Sequence, residues 1–137
     1  MKHREPIAHI MSKDVHTVHR KQNLLEVLEL MEQEKICHVP VLSGEDVIGI
    51  LSRTDVMRVS YGTSPEEANR HRDFLRQFEV GEVMTAEPVT VSSETAIRNV
   101  GEILHKNSFS ALPVVDEGKL VGIITTNDLL AYLLEQY

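Results

Sequence analysis

Shifted by 73 residues, the chain matches itself. Met11 falls on Met84, Thr17-Val18 on Thr90-Val91, Val27 on Val100 and Glu29 on Glu102. In the same register Pro40-Val41 falls on Pro113-Val114, Gly49-Ile50 on Gly122-Ile123 and Asp55 on Asp128. These are ten identities between residues 7–59 and 80–132 without a gap, where ordinary composition gives roughly three. Ile48/Val121, Leu51/Ile124, Ser52/Thr125 and Val56/Leu129 are conservative matches. A unit of about 50 residues buries too little surface to stand alone, so two copies are expected to pack their apolar faces together. Such packing creates pseudo-two-fold symmetry, and clefts at the interface then come in related pairs.

Local patterns fill in each unit. Asp14-Val15-His16-Thr17-Val18 and Pro88-Val89-Thr90-Val91 are rich in β-branched residues and read as short β segments. Asn23 offers an N-cap oxygen with Glu26 three residues on, opening a helix to about Lys35 whose apolar stripe is Leu24, Val27, Leu28 and Met31. The second unit answers with Ile97, Val100, Ile103 and Leu104. Its Gly101 costs about 1 kcal/mol relative to alanine, which points to close packing there. Two β runs follow, His38 to Leu42 and Val47 to Leu51, joined by Ser43-Gly44-Glu45-Asp46. Their counterparts run from Ala111 to Val115 and from Leu120 to Ile124 around Asp116-Glu117-Gly118. Ser52-Arg53-Thr54-Asp55 and Thr125-Thr126-Asn127-Asp128 then open final helices. Each unit reads β-α-β-β-α. The whole is an α/β chain of the α+β type, with 1–62 the first repeat and its N-terminal segment, 63–79 a helical connector and 80–137 the second repeat.

In the connector, Ser64-Pro65-Glu66-Glu67 is a helix start, and Phe74 and Phe78 fall four apart on one helical face with Arg70, Arg72 and Arg76 over the remainder. The plain expectation is a solvated helix resting on its phenylalanines. A formal charge of −7 argues against a nucleic-acid partner, which needs a basic field. The single cysteine, Cys37, lies in an apolar run and reads as a small core residue in a reducing compartment, which places the chain in the cytoplasm. No apolar stretch approaches the roughly 20 residues of a membrane span. His16-x-x-His19 lacks the further ligands a metal site needs, and no nucleophile stands beside a base, so neither a metal nor catalysis is expected.

Ile36-Cys37-His38-Val39-Pro40-Val41 and Phe109-Ser110-Ala111-Leu112-Pro113-Val114-Val115-Asp116 are each followed at one spacing by a Gly-apolar strand and a hydroxyl-rich turn ending in Asp. On these motifs the chain resembles a tandem pair of cystathionine-β-synthase (CBS) domains, a Bateman module, over almost its whole length. The resemblance implies a regulatory module that binds adenine nucleotides or other adenosyl compounds in composite clefts. One cleft would combine Ser12, His16, Ile36, Cys37, His38 and Pro40 with Thr125, Asn127 and Asp128. The other would combine Thr85, Val89, Phe109, Ser110, Ala111 and Pro113 with Ser52, Thr54 and Asp55. In each, the Asp would take the ribose hydroxyls. His38 and Asn127 depart from the common pattern, which places arginine and a hydroxyl residue there.

The residue types suit that chemistry. A carboxylate accepts from both ribose hydroxyls, and a helix start favours an anion. With few aromatics, aliphatic walls such as Ile50 and Ile123, with Val39 or Leu112 nearby, would hold the base. His38 as a phosphate donor would strengthen binding when protonated. Ser52-x-x-Asp55 and Thr125-x-x-Asp128 also fit capping boxes, a role compatible with ligand contact. No cofactor is required; the adenosyl ligand is an effector. A homodimer is expected through Val56, Met57, Val59, Leu129, Leu130 and Leu133, with an effector protein as a further partner. The contrasting reading is a structural dimerisation module with vestigial clefts.

Overall fold

In the computed structural model, which describes residues 4–59 and 72–137, the two Pro-Val runs form β-hairpins of matching register. β1 (Val18–His19) runs parallel to β2 (His38–Ser43), β2 is antiparallel to β3 (Asp46–Ser52), and β3 is antiparallel to β4 (Thr85–Ala86). The second hairpin joins β5 (Ala111–Asp116) to β6 (Lys119–Thr125). Single bridges, Val91 to Val114 and Ser12 to Ile123, stand where β1 and β4 stand in the first sheet. The early β segments are thus shorter than their composition predicts, a two-residue strand in one copy and one bridge in the other. Both hairpins bulge after the Pro-Val pair. At the second turn Glu117 and Gly118 both take positive φ, which suits a tight two-residue connection. Pro113 costs no ladder bond. Its carbonyl accepts from Val91 N–H on the side away from β6, so its ring nitrogen faces that same side.

Helix α1 (Leu24–Glu34) starts where expected, the Asn23 side chain accepting from the Glu26 N–H at 3.0 Å. Glu26 does not return the bond to the cap backbone; its oxygens take the Asn23 and Gln22 amides instead. Helix α2 (Arg53–Arg58), the short α3 (Val80–Val83), α4 (Ile97–Asn107) and α5 (Thr126–Glu135) complete the set. Leu24, Val27, Leu28 and Met31 of α1 join Val39, Val41, Leu51 and Val56 in one core. Ile97, Val100 and Leu104 join Leu112, Val114, Ile124 and Tyr132 in the other. The expected close packing at Gly101 is not present: a Cβ there would meet Leu129 at an ordinary 3.9 Å. Gly101→Ala should therefore stabilise the chain by about 0.5–1 kcal/mol, read by urea denaturation, because helix propensity is gained without a clash.

The compact units do not follow the sequence repeats. One comprises Met1–Val15 with Pro88–Tyr137, the other His16–Glu87. Each repeat's leading segment is built into the unit of the other. Ser12 and Ile123 exchange backbone hydrogen bonds, both 3.0 Å, while Thr85 and Ala86 pair with Ile50 and Gly49. The crossing demands glycine. A Cβ on Gly122 would lie 2.7 Å from Met11 Sδ and 2.9 Å from the Ser12 carbonyl, and one on Gly49 would collide with Met84 Sδ. The Tyr132 hydroxyl also donates to Glu5 at 2.8 Å, tying the N-terminal segment to α5.

Ser64-Pro65-Glu66-Glu67 and Arg70 lie outside the described residues. Phe74 and Phe78 do not share a helical face: a 3-10 turn, Leu75–Gln77, intervenes and Phe78 is extended. Their rings meet edge to face at 5.1 Å, and Leu75 is the buried anchor while Phe74 is exposed. Arg72 is not on a free basic face but pairs with Glu32 at 2.8 Å, which holds the Glu32 carboxyl below its usual range.

Candidate functional site

Both hydroxyl-Asp turns form complete capping boxes. Ser52 Oγ accepts from Asp55 N–H at 3.0 Å, and Asp55 Oδ2 accepts from Ser52 N–H at 2.9 Å. Thr125 and Asp128 repeat this at 3.1 and 2.9 Å. A cap occupies only one carboxylate oxygen. Asp55 Oδ1 has a loose contact with exposed Arg58 at 3.5 Å, and Asp128 Oδ1 has no partner among the described residues. Capping thus fixes each carboxylate's direction and leaves an oxygen with open lone pairs at a helix start, a suitable acceptor for a diol.

The register brings the Pro-strand segments beside these turns within each unit. His38 pairs with Ser52, and Arg53 N–H donates to the Cys37 carbonyl at 2.8 Å. In the other unit Ala111 pairs with Thr125, and Thr126 N–H donates to the Ser110 carbonyl at 3.0 Å. Arg53 and Thr126 were not among the predicted residues. Their signal was the hairpin register, which places the residue after each cap against the segment before each Pro strand.

The His16–Glu87 unit holds His16, Ile36, Cys37, His38, Pro40, Ile50, Ser52, Thr54, Asp55 and Thr85. The other unit holds Ser12, Val89, Phe109, Ser110, Ala111, Pro113, Ile123, Thr125, Asn127 and Asp128. Ser12 is brought to Ile123, and Thr85 to Ile50. His16 lies 3.4 Å from Glu34. Thr54 and Asn127 are exposed, as are the apolar Val89 and Phe109, at 44% and 36%.

Three expectations need correction. Cys37 is exposed rather than core, because α1 ends at Lys35 in the left-handed conformation and the strand begins only at His38. Val39 and Leu112 are fully buried in the cores of their units and offer no wall to a ligand; Ile50 is half-buried, and Ile123 is 8% exposed. Val56 is likewise core, which removes it from any dimer surface, whereas Met57, Leu130 and Leu133 are exposed.

Burial holds the His38 imidazole below the usual histidine range, and the Asp55 carboxylate acts in the opposite direction. His38 is therefore neutral at pH 7. Below the ordinary histidine value of about 6.5 the unfolded chain takes up this proton first, so His38 makes stability fall as pH drops toward its folded pKa. His38→Gln should flatten that component in urea titrations run between about pH 7 and pH 5.

Comparison with known proteins fits this geometry. A model of the CBS domain matches residues 7–62 and again 80–135. The chain belongs to the CBS-domain family. Inosine-5'-monophosphate dehydrogenase of Thermoplasma acidophilum is 30% identical over 122 residues, covering 88% of this chain but 22% of the dehydrogenase. Uncharacterized protein MJ1426 of Methanocaldococcus jannaschii is 27% identical over 154 residues, covering 93% of this CBS-domain chain and 90% of that protein. The solved structure of CBSX2, a CBS-pair protein of Arabidopsis thaliana, in complex with AMP aligns at 25% identity and a TM-score of 0.78, covering 96% of this chain and 97% of that one. The CBS pair here has the mixed α+β fold of these neighbours. No helix among the described residues is long and apolar enough to cross a membrane.

Proposed function

We propose that this CBS pair is a non-catalytic regulatory module whose effector is an adenosine compound, AMP being the first candidate. The observation that carries this reading is the duplicated cap in which one oxygen of Asp55 and one of Asp128 remain after the backbone is satisfied. In the proposed composite clefts, Asp128 takes the ribose of a ligand whose base contacts Ile36, Cys37, His38 and Pro40. Asp55 does the same for a ligand against Val89, Phe109, Ser110, Ala111 and Pro113. Ser12, His16, Ile50, Ser52, Thr54, Thr85, Ile123, Thr125 and Asn127 complete the two walls. The AMP complex of CBSX2, which matches this chain over nearly its full length, supports AMP as the ligand class. Binding acts by favouring one arrangement of the repeats over another, since only differential affinity shifts such an equilibrium.

Output goes to a second copy or another protein. Leu130, Leu133 and Leu134 leave an apolar strip exposed on α5, and this strip is the surface through which the module pairs with itself.

The test is a thermal-shift panel of AMP, ADP, ATP, NAD and S-adenosylmethionine. A ligand at 100 times its Kd stabilises the fold by about 2.7 kcal/mol, a readily measured rise in Tm. No shift with any of them at millimolar concentration overturns the sensor reading in favour of a structural dimerisation module.

A further inference from the structure

Met11 and Met84 are equivalent in the 73-residue shift, and each lays its sulfur in the notch that a glycine leaves in the strand its segment crosses. A Cβ on Gly122 of β6 would lie 2.7 Å from Met11 Sδ and 2.9 Å from the Ser12 carbonyl. One on Gly49 of β3 would run into Met84 Sδ, with the Thr85 carbonyl at 3.1 Å. Backbone bonds close both crossings: Ser12 and Ile123 exchange theirs, and Glu87 N–H donates to the Ile48 carbonyl at 3.1 Å. Met11 and Met84 pack against the cores of their units but are only half-buried, whereas Met31 is fully buried. Both therefore combine partial exposure with a packed sulfur.

We propose that Met11 and Met84 are paired oxidation sites, and that turning either thioether into a sulfoxide loosens its crossing. Hydrogen peroxide transfers one oxygen atom to Sδ: the S–O bond forms as the O–O bond breaks, the sulfur gives up two electrons, and the peroxide leaves as water. The new oxygen is a hydrogen-bond acceptor set among acceptors. At Met11 the neighbouring backbone atom is the Ser12 carbonyl, and the Ser12 and Ile123 N–H groups are already taken by each other's carbonyls. At Met84 the neighbour is again a carbonyl, that of Thr85. An acceptor left without a donor is costly away from water, so the oxidised sulfur turns out to solvent and the glycine notch loses its packing. Sulfoxide reductases return the thioether, which makes the change reversible. The loosened segments carry Ser12 and Thr85, so oxidation also weakens nucleotide binding; this consequence alone rests on the proposed clefts.

The test is amide hydrogen exchange on the full chain before and after treatment with hydrogen peroxide, with mass spectrometry placing each added oxygen. It is run without nucleotide, so its outcome does not depend on the clefts. Exchange at Ser12, Ile123 and Glu87 should quicken at least about tenfold, since packing over the glycines is lost. Arg53 and Thr126, whose N–H groups bond to Cys37 and Ser110 away from the crossings, should keep their rates. Cys37 and Met57 are exposed and oxidise as well. The double variant Met11→Leu/Met84→Leu retains both at nearly constant core volume and should show no quickening after the same treatment. Methionine sulfoxide reductases should return the oxidised parent to its first rates. Met11 and Met84 that take up no oxygen, or that take it up without a change in exchange, would overturn the proposal. So would an equal rise at Arg53 and Thr126, or the same rise in the leucine variant.

Discussion

Gly122→Ala is expected to destabilise the chain by about 1–3 kcal/mol, the usual cost of overpacking a filled site. The added methyl would sit 2.7 Å from Met11 Sδ and 2.9 Å from the Ser12 carbonyl oxygen. The sulfur can swing aside, but the carbonyl cannot. It accepts from Ile123 N–H while Ser12 N–H donates to the Ile123 carbonyl, so the crossing segment is pinned at this level. Urea denaturation should show a lower midpoint with an unchanged m-value. Adding Met11→Ala should restore only part of the loss, because the backbone contact remains. A Gly122→Ala chain as stable as the parent would mean that the N-terminal segment does not cross β6 as described.

The second large effect is on ligand affinity. Asp128→Asn should weaken AMP binding by about tenfold to a hundredfold, the range for losing a hydrogen bond to a charged acceptor. The substitution separates two roles that alanine would merge. An asparagine carbonyl oxygen still accepts from Thr125 N–H, so the cap of α5 survives and stability changes little. Its amide group, however, turns a donor toward ribose hydroxyls that need an acceptor. Thr125→Ala supplies the converse control. It removes the bond from Asp128 N–H and should cost about 1 kcal/mol of stability while leaving the carboxylate in place. Calorimetric titration with AMP reads both. If Asp128→Asn binds AMP as tightly as the parent, Asp128 is a cap and nothing more.

The legible features were those written in short stretches of chain. Asn23, Ser52 and Thr125 cap their helices because a side-chain oxygen can reach an amide three residues on, a reach set by backbone geometry. The hairpins form because β-branched runs flank turn residues that tolerate positive φ, as Gly44 and Gly118 do. The candidate carboxylates were found from spacing and duplication together. What escaped were the neighbours that spacing does not specify. Leu75 was passed over for the larger Phe74, yet a 3-10 turn faces the leucine inward and leaves the phenylalanine outside. Cys37 sits among apolar letters but falls between a left-handed helix end and the first strand residue, where no core surrounds it.

Duplication at an offset of 73 residues dictated two copies of one supersecondary unit, and with them paired helix starts carrying Asp55 and Asp128. That much is encoded locally, since each copy repeats the same turn chemistry and apolar periods. Which leading segment joins which hairpin is a different matter. Met11 could lie over its own repeat or over Gly122, and the two choices look alike locally because Gly49-Ile50 and Gly122-Ile123 are equivalent. Long-range packing selects the exchanged arrangement, with Met11 on Gly122 and Met84 on Gly49. The same holds for the loop before α4: its conformation is written in its own residues, but its Ser93 N–H meets a carboxylate only because the hairpin brings Asp116 beside it.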